Sequence, residues 1–175
     1  MAAIGLGLSG PLLVINFILY LISAALAGWV LNKNIDYDHL TGGSGVSIGN
    51  AATTWFIPIA LVASVVGLAS TLAGVHHLRV WRTDSLAAAA AASLIAWLLT
   101  LLALGLASKE IHIGGYRPKR LKTLEAFIII LGFLELLYFL SLHSGTILGE
   151  NYGPTYNTNT THVAAPTKGT AAAAV

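Results

Sequence analysis

Four long apolar runs, separated by short polar stretches, set the pattern of the chain. They are Pro11 to Leu31, Ala51 to Val75, Ser85 to Ala107, and Leu124 to about Leu148. Each is long enough to cross about 30 Å of hydrocarbon, which takes about 20 helical residues. In lipid an isolated run must satisfy its backbone polar groups within itself, and four strands are too few to close a barrel, so the runs predict helices. Ser9 is placed to cap the first, with Pro11 in its first turn, where a missing N–H costs nothing. Asn50 and Asp84 precede the second and third in the same way. Pro58 lies inside the second, a position that neighbouring helices in a membrane tolerate. Short connections favour antiparallel neighbours. The expectation is an all-α membrane protein, an antiparallel four-helix transmembrane bundle over residues 1–149. A tail over 150–175, rich in Thr, Asn, Pro, Gly and Ala, is expected to be disordered.

Composition supports the bilayer as solvent. The chain of 175 residues is 56% hydrophobic and only 9% charged, against about 25% charged in soluble domains. Without cysteine there are no disulfides and no thiol-bound metal. The net charge of +2 rests on few residues and gives no reason to expect a nucleic-acid partner. The first run lacks the basic n-region of a signal peptide and is longer than its usual core, so it is read as a retained span. Charge then orients the bundle. Lys33, Lys109, Arg117, Lys119, Arg120 and Lys122 fall in loops on one side, and Arg79 and Arg82 on the other. The positive-inside rule places the richer side in the cytoplasm and both termini outside, where Asn159 in Asn159-Thr160-Thr161 is open to glycosylation. Small residues four apart, such as Ala24 and Gly28 or Ala63, Gly67 and Thr71, suit close helix contacts.

The chemistry is sparse. Glu135 lies ~4 Å from the expected midplane at 1.5 Å per residue. A charged acid there costs about 3 kcal/mol or more, so it turns into the bundle, takes a proton, or both. Gly132 leaves room one turn earlier, and Tyr138 offers a hydroxyl one turn later. Asn16 is the best partner by depth, with Ser64, Ser70 and Ser93 as further donors. Such a point is either a proton-titratable site for a weak acid or polar solute, or neutral interhelical glue. Glu125, at the start of the fourth helix, reads as charge pairing with the nearby basic residues. On the opposite side, Arg79 and Arg82 either orient a carboxylate at a pore mouth or snorkel to headgroups beside an interfacial Trp81. The basic loop of Lys109, Arg117, Lys119, Arg120 and Lys122 is a topology signal that also suits anionic lipid. His76, His77 and His143 make a poor metal set without cysteines or converging carboxylates. Gly5 to Gly10 fits G-x-G-x-x-G but follows no strand, so no nucleotide cofactor is implied. No nucleophile and base stand together, so no enzyme is expected.

Four stretches are familiar together: GPLLVINFILY, HHLRVWRTDSLAAAAAAS, KEIHIGGYRPKRLKTLEAFIIIL and ELLYFLSLH. They resemble the AWPM-nineteen-like family of plant plasma-membrane proteins over roughly Gly10 to Gly145. The resemblance implies a multi-pass plasma-membrane protein of abscisic-acid and stress responses, linked to abscisic acid uptake. It supplies no site residues, so Glu135, Asn16, Tyr138, Arg79 and Arg82 are assigned from the residues alone. The rival expectation is a non-transporting protein that stabilises the membrane or acts as a scaffold in drying and cold. One four-helix subunit leaves little room for a hormone-sized path, which makes a homo-oligomer an open expectation.

Overall fold

The computed structural model describes residues 2–43, 48–80 and 82–147, with side chains for 9–43, 48–80 and 82–143. Trp81 and the stretch 148–175, including the sequon at Asn159, lie outside the described residues. Four helices follow one another: α1 Ala2–Leu40, α2 Thr53–Val80, α3 Thr83–Ile113 and α4 Lys119–Ile147. All four are long and apolar enough to cross a membrane. Helix α1 packs on α2 and α4, and α3 packs on the same two, so the helices form a closed four-sided bundle.

The helices run past the apolar runs at most ends. Helix α1 begins before Ser9 and Pro11, so Ser9 does not cap it and Pro11 lies within it. At its other end α1 continues for two more turns through polar sequence. Asp36 there meets Lys33 at 3.3 Å, and Asn32 donates to the same carboxylate at 3.5 Å. Such i,i+3 and i,i+4 pairs support exposed helix. Gly42 and Gly43, both at positive φ, end the extension. Asp84 is likewise not the cap of α3. Arg82 holds that position in an extended conformation, and its N–H donates to the Ser85 hydroxyl at 3.2 Å. Helix α3 continues to Ile113 and stops where Gly114 and Gly115 take positive φ. The basic segment is therefore only partly a loop. Lys109 rides on the last turns of α3, and Lys119, Arg120 and Lys122 on the first turns of α4.

The inward face of each helix follows alternating steps of three and four residues. On α1 the buried stripe is Leu13, Asn16, Tyr20, Ser23, Ala27 and Val30; on α4 it is Leu121, Leu124, Ile128, Leu131, Glu135, Tyr138 and Leu142. On α3 the stripe is made of small residues, Ala89, Ser93, Ala96, Thr100, Ala103 and Ala107, and ends on Glu110. A 3.5-residue repeat keeps one seam facing the neighbours along the whole helix. Two small residues allow large ones to close in: a Cβ at Gly67 would strike the Tyr20 ring, and one at Gly74 would strike the Tyr138 hydroxyl and Leu13. The opposite faces carry Val14, Ile18, Leu21, Val62, Leu72, Ile95, Leu98, Phe133 and Leu137 in the open. With lipid as solvent those faces need no protein cover.

Candidate functional site

Polar and apolar levels alternate along the axis. Near the α2–α3 end lies an apolar cluster of Leu12, Leu13, Leu86, Ala89, Tyr138 and Leu142. Beyond it comes the level of Glu135. A longer apolar cluster follows, with Phe56, Ile57, Leu121, Leu124 and Ile128 among small residues of α1, α2 and α3. At the basic end a second polar level holds Glu110 and Glu125.

Glu135 has no exposed surface and receives one hydrogen bond from each of the other helices. Asn16 Nδ2 of α1 donates to Oε2 at 2.9 Å. Ser70 Oγ of α2 and Ser93 Oγ of α3 donate to Oε1 at 3.1 and 3.0 Å. The stripe explains the convergence: all four residues occupy inward positions at one depth. Ser70 and Ser93 each lie ten residues inside their helices from the α2–α3 turn, which is about 15 Å of rise. Asn16 Oδ1 is buried without a protein partner. One turn along α1, Tyr20 meets the Thr100 hydroxyl at 3.1 Å. Ser64 does not join; its hydroxyl donates to its own helix at Ala60 O. Tyr138 is buried but lies towards the other side, its hydroxyl against Gly74.

The two arginines at the α2–α3 end differ in their surroundings. Arg82 lines a cavity of about 350 Å³ with His76, Val80, Asp84, Ser85 and Ala88. Arg79 is exposed and is not among the lining residues. The Arg82 guanidinium lies 3.7 Å from Asp84, an exposed pair. Beside the cavity, His77 is buried, with Nδ1 2.9 Å from the Ser85 hydroxyl that supports the start of α3.

At the basic end the arginines divide their work. Arg120 stacks its guanidinium 3.8 Å from the Trp29 ring centre. Arg117, carried inward from the loop, pairs with Glu125 at 2.7 Å. This pairing is what the position of Glu125 called for, but the partner is Arg117 rather than Arg120 or Lys122. Lys109, Lys119 and Lys122 stay exposed. Glu110 was the residue that hydropathy alone missed. It is fully buried, accepts from Thr53 Oγ1 at 2.5 Å, and its backbone carbonyl accepts from Asn50 Nδ2 at 3.0 Å. The signal for it was the small-residue stripe of α3, which reaches Glu110 in register. Among the described residues no group of three or more His, Cys, Asp or Glu is arranged to hold a metal ion.

A bundle with apolar outer faces, polar groups turned inward and four spanning helices defines a multi-pass membrane protein. Comparison of the chain with known proteins agrees and narrows this. It belongs to the AWPM-19-like family, whose sequence profile matches residues 14–145. It is 54% identical over 151 residues to Membrane protein PM19L of Oryza sativa subsp. japonica, covering 86% of each chain. No solved structure matches it.

Proposed function

We propose that this chain mediates uptake of abscisic acid, or a similar weak organic acid, across the plant plasma membrane. The α2–α3 turn is then the extracellular mouth, and the basic end faces the cytoplasm. The observation that carries this reading is the burial of Glu135, a titratable carboxyl inside the bundle with an apolar cluster on either side. That arrangement is what a closed carrier needs: a titratable point shielded from both surfaces. Arg82 and His76 support it from the mouth, in a cavity of about 350 Å³, within the range of small-molecule pockets of roughly 300–1,000 Å³. A guanidinium recognises a carboxylate through charge-assisted hydrogen bonds, and release of Arg82 from the exposed Asp84 costs about 1 kcal/mol or less.

Arg82→Gln is therefore expected to raise the half-saturation concentration for labelled abscisic acid about tenfold in cells expressing the chain, the effect of losing one charged hydrogen bond. Arg79→Gln, outside the cavity, leaves it within about twofold by the same argument. Equal uptake curves for the two variants and the native chain would remove Arg82 from the mouth site. A second reading is favoured by the three donors on Glu135. They tie all four helices together, as they would in a scaffold that moves nothing.

A further inference from the structure

The polar level at the basic end contains more carboxylates than guanidiniums. Glu110 is fully buried, Glu125 is 3% exposed, and Arg117 is the cation paired with Glu125. The charged groups acting on Glu110 are Glu125 and Arg117, and those acting on Glu125 are Arg117 and the exposed Lys122. Fully ionised, the trio of two buried acids and the half-buried Arg117 carries two negative charges and one positive. An uncompensated charge out of water is strongly disfavoured, and one added proton makes the trio neutral.

The hydrogen bonds leave room for that proton. Thr53 occupies Glu110 Oε1 and Arg117 Nη1 occupies Glu125 Oε2. The other oxygen of each acid, Glu110 Oε2 and Glu125 Oε1, is buried without a protein partner, and so is Arg117 Nε. Two acceptors and one donor complement a single water molecule, with its two hydrogens and two lone pairs.

We propose that Glu110 and Glu125, the latter paired with Arg117, form a second proton-binding site at the basic end, in which the two carboxyls share one proton. The site is separated from Glu135 by the apolar cluster of Phe56, Leu124 and Ile128, and it stands whether or not the chain carries an acid. The sharing has a signature that simple burial of one acid does not. Neutralising either carboxyl leaves one acid to balance one guanidinium, so the proton is no longer needed.

The test is infrared spectroscopy of the full chain in lipid nanodiscs at neutral pH, with Glu135→Gln as background so that its carboxyl does not contribute. The band of a protonated carboxyl is expected in that background at an intensity of about one group per chain. Adding Glu110→Gln or Glu125→Gln removes it, with helical circular dichroism unchanged. Absence of the band in the background, which keeps all three residues, overturns the site. Survival of the band in the Glu125→Gln variant overturns the sharing and leaves a private proton on Glu110.

Discussion

Replacing Arg117 by alanine is expected to lower stability in nanodiscs by about 3–5 kcal/mol, the usual cost of leaving one partner of a buried ion pair alone. Arg117 is 16% exposed and Glu125 only 4% at the side chain. Without the guanidinium, Glu125 loses the cation it pairs with at 2.7 Å and keeps only the charge of the exposed Lys122. The comparison within the same molecule is Lys33 with Asp36, each 50% exposed. Lys33→Ala is expected to cost under about 1 kcal/mol, because solvent already screens that pair. Changing Arg117 and Glu125 together to methionine and leucine is expected to restore most of the loss, since apolar groups can replace a buried pair at little cost. Detergent-induced unfolding followed by circular dichroism measures all of these. A loss for Arg117→Ala no larger than that for Lys33→Ala would show that the pair is hydrated and not part of the buried structure.

Glu135→Gln is expected to leave the fold within about 1 kcal/mol of native and to abolish the proton-gradient dependence of that part of acid uptake that exceeds the protein-free control. The structural half follows from the hydrogen bonds. The new amide keeps a carbonyl oxygen for Ser70 and Ser93. Its NH₂ faces Asn16, whose Oδ1 is buried without a partner and becomes the acceptor when that amide turns over. Interhelical hydrogen bonds in membranes average about 0.6 kcal/mol, so a rearrangement that keeps their number changes little. Glu135→Leu is different: it strands three buried donors and is expected to cost about 2 kcal/mol on the same scale. The functional half rests on the proton, which an amide cannot carry. Uptake into proteoliposomes with and without an inward proton gradient reads it directly. A gradient response unchanged in Glu135→Gln would leave Glu135 as an interhelical tie and nothing more.

The sequence made some of this plain and hid the rest for physical reasons. An acid within an apolar run has nowhere to go but inward, so the surroundings of Glu135 could be reasoned from depth: Asn16, Ser70 and Ser93 are the polar residues at its level. The helix ends could not be read that way. Hydropathy marks where lipid stops, while Asn32 to Leu40 and Ser108 to Ile113 continue as helix in the polar zone until paired glycines stop them. Glu110 was concealed by that same boundary, since in KEIHI it looks like one more charge in a basic loop. Only the three-and-four spacing of small residues on α3 shows that it faces the bundle. The difference between Arg79 and Arg82 was equally hidden: both flank one turn, but the cavity is built on His76 of α2 and the first turns of α3, which admits Arg82 and not Arg79.

The measurement that tests the proposed function most directly is uptake of labelled abscisic acid into proteoliposomes holding only this protein. Protein-free vesicles under the same gradient serve as control, because the undissociated acid crosses lipid unaided. The carrier reading predicts uptake above that control that saturates with concentration and rises with an inward proton gradient. Uptake equal to the control at every concentration would contradict it and leave the four-helix tie at Glu135 as the mark of a scaffold.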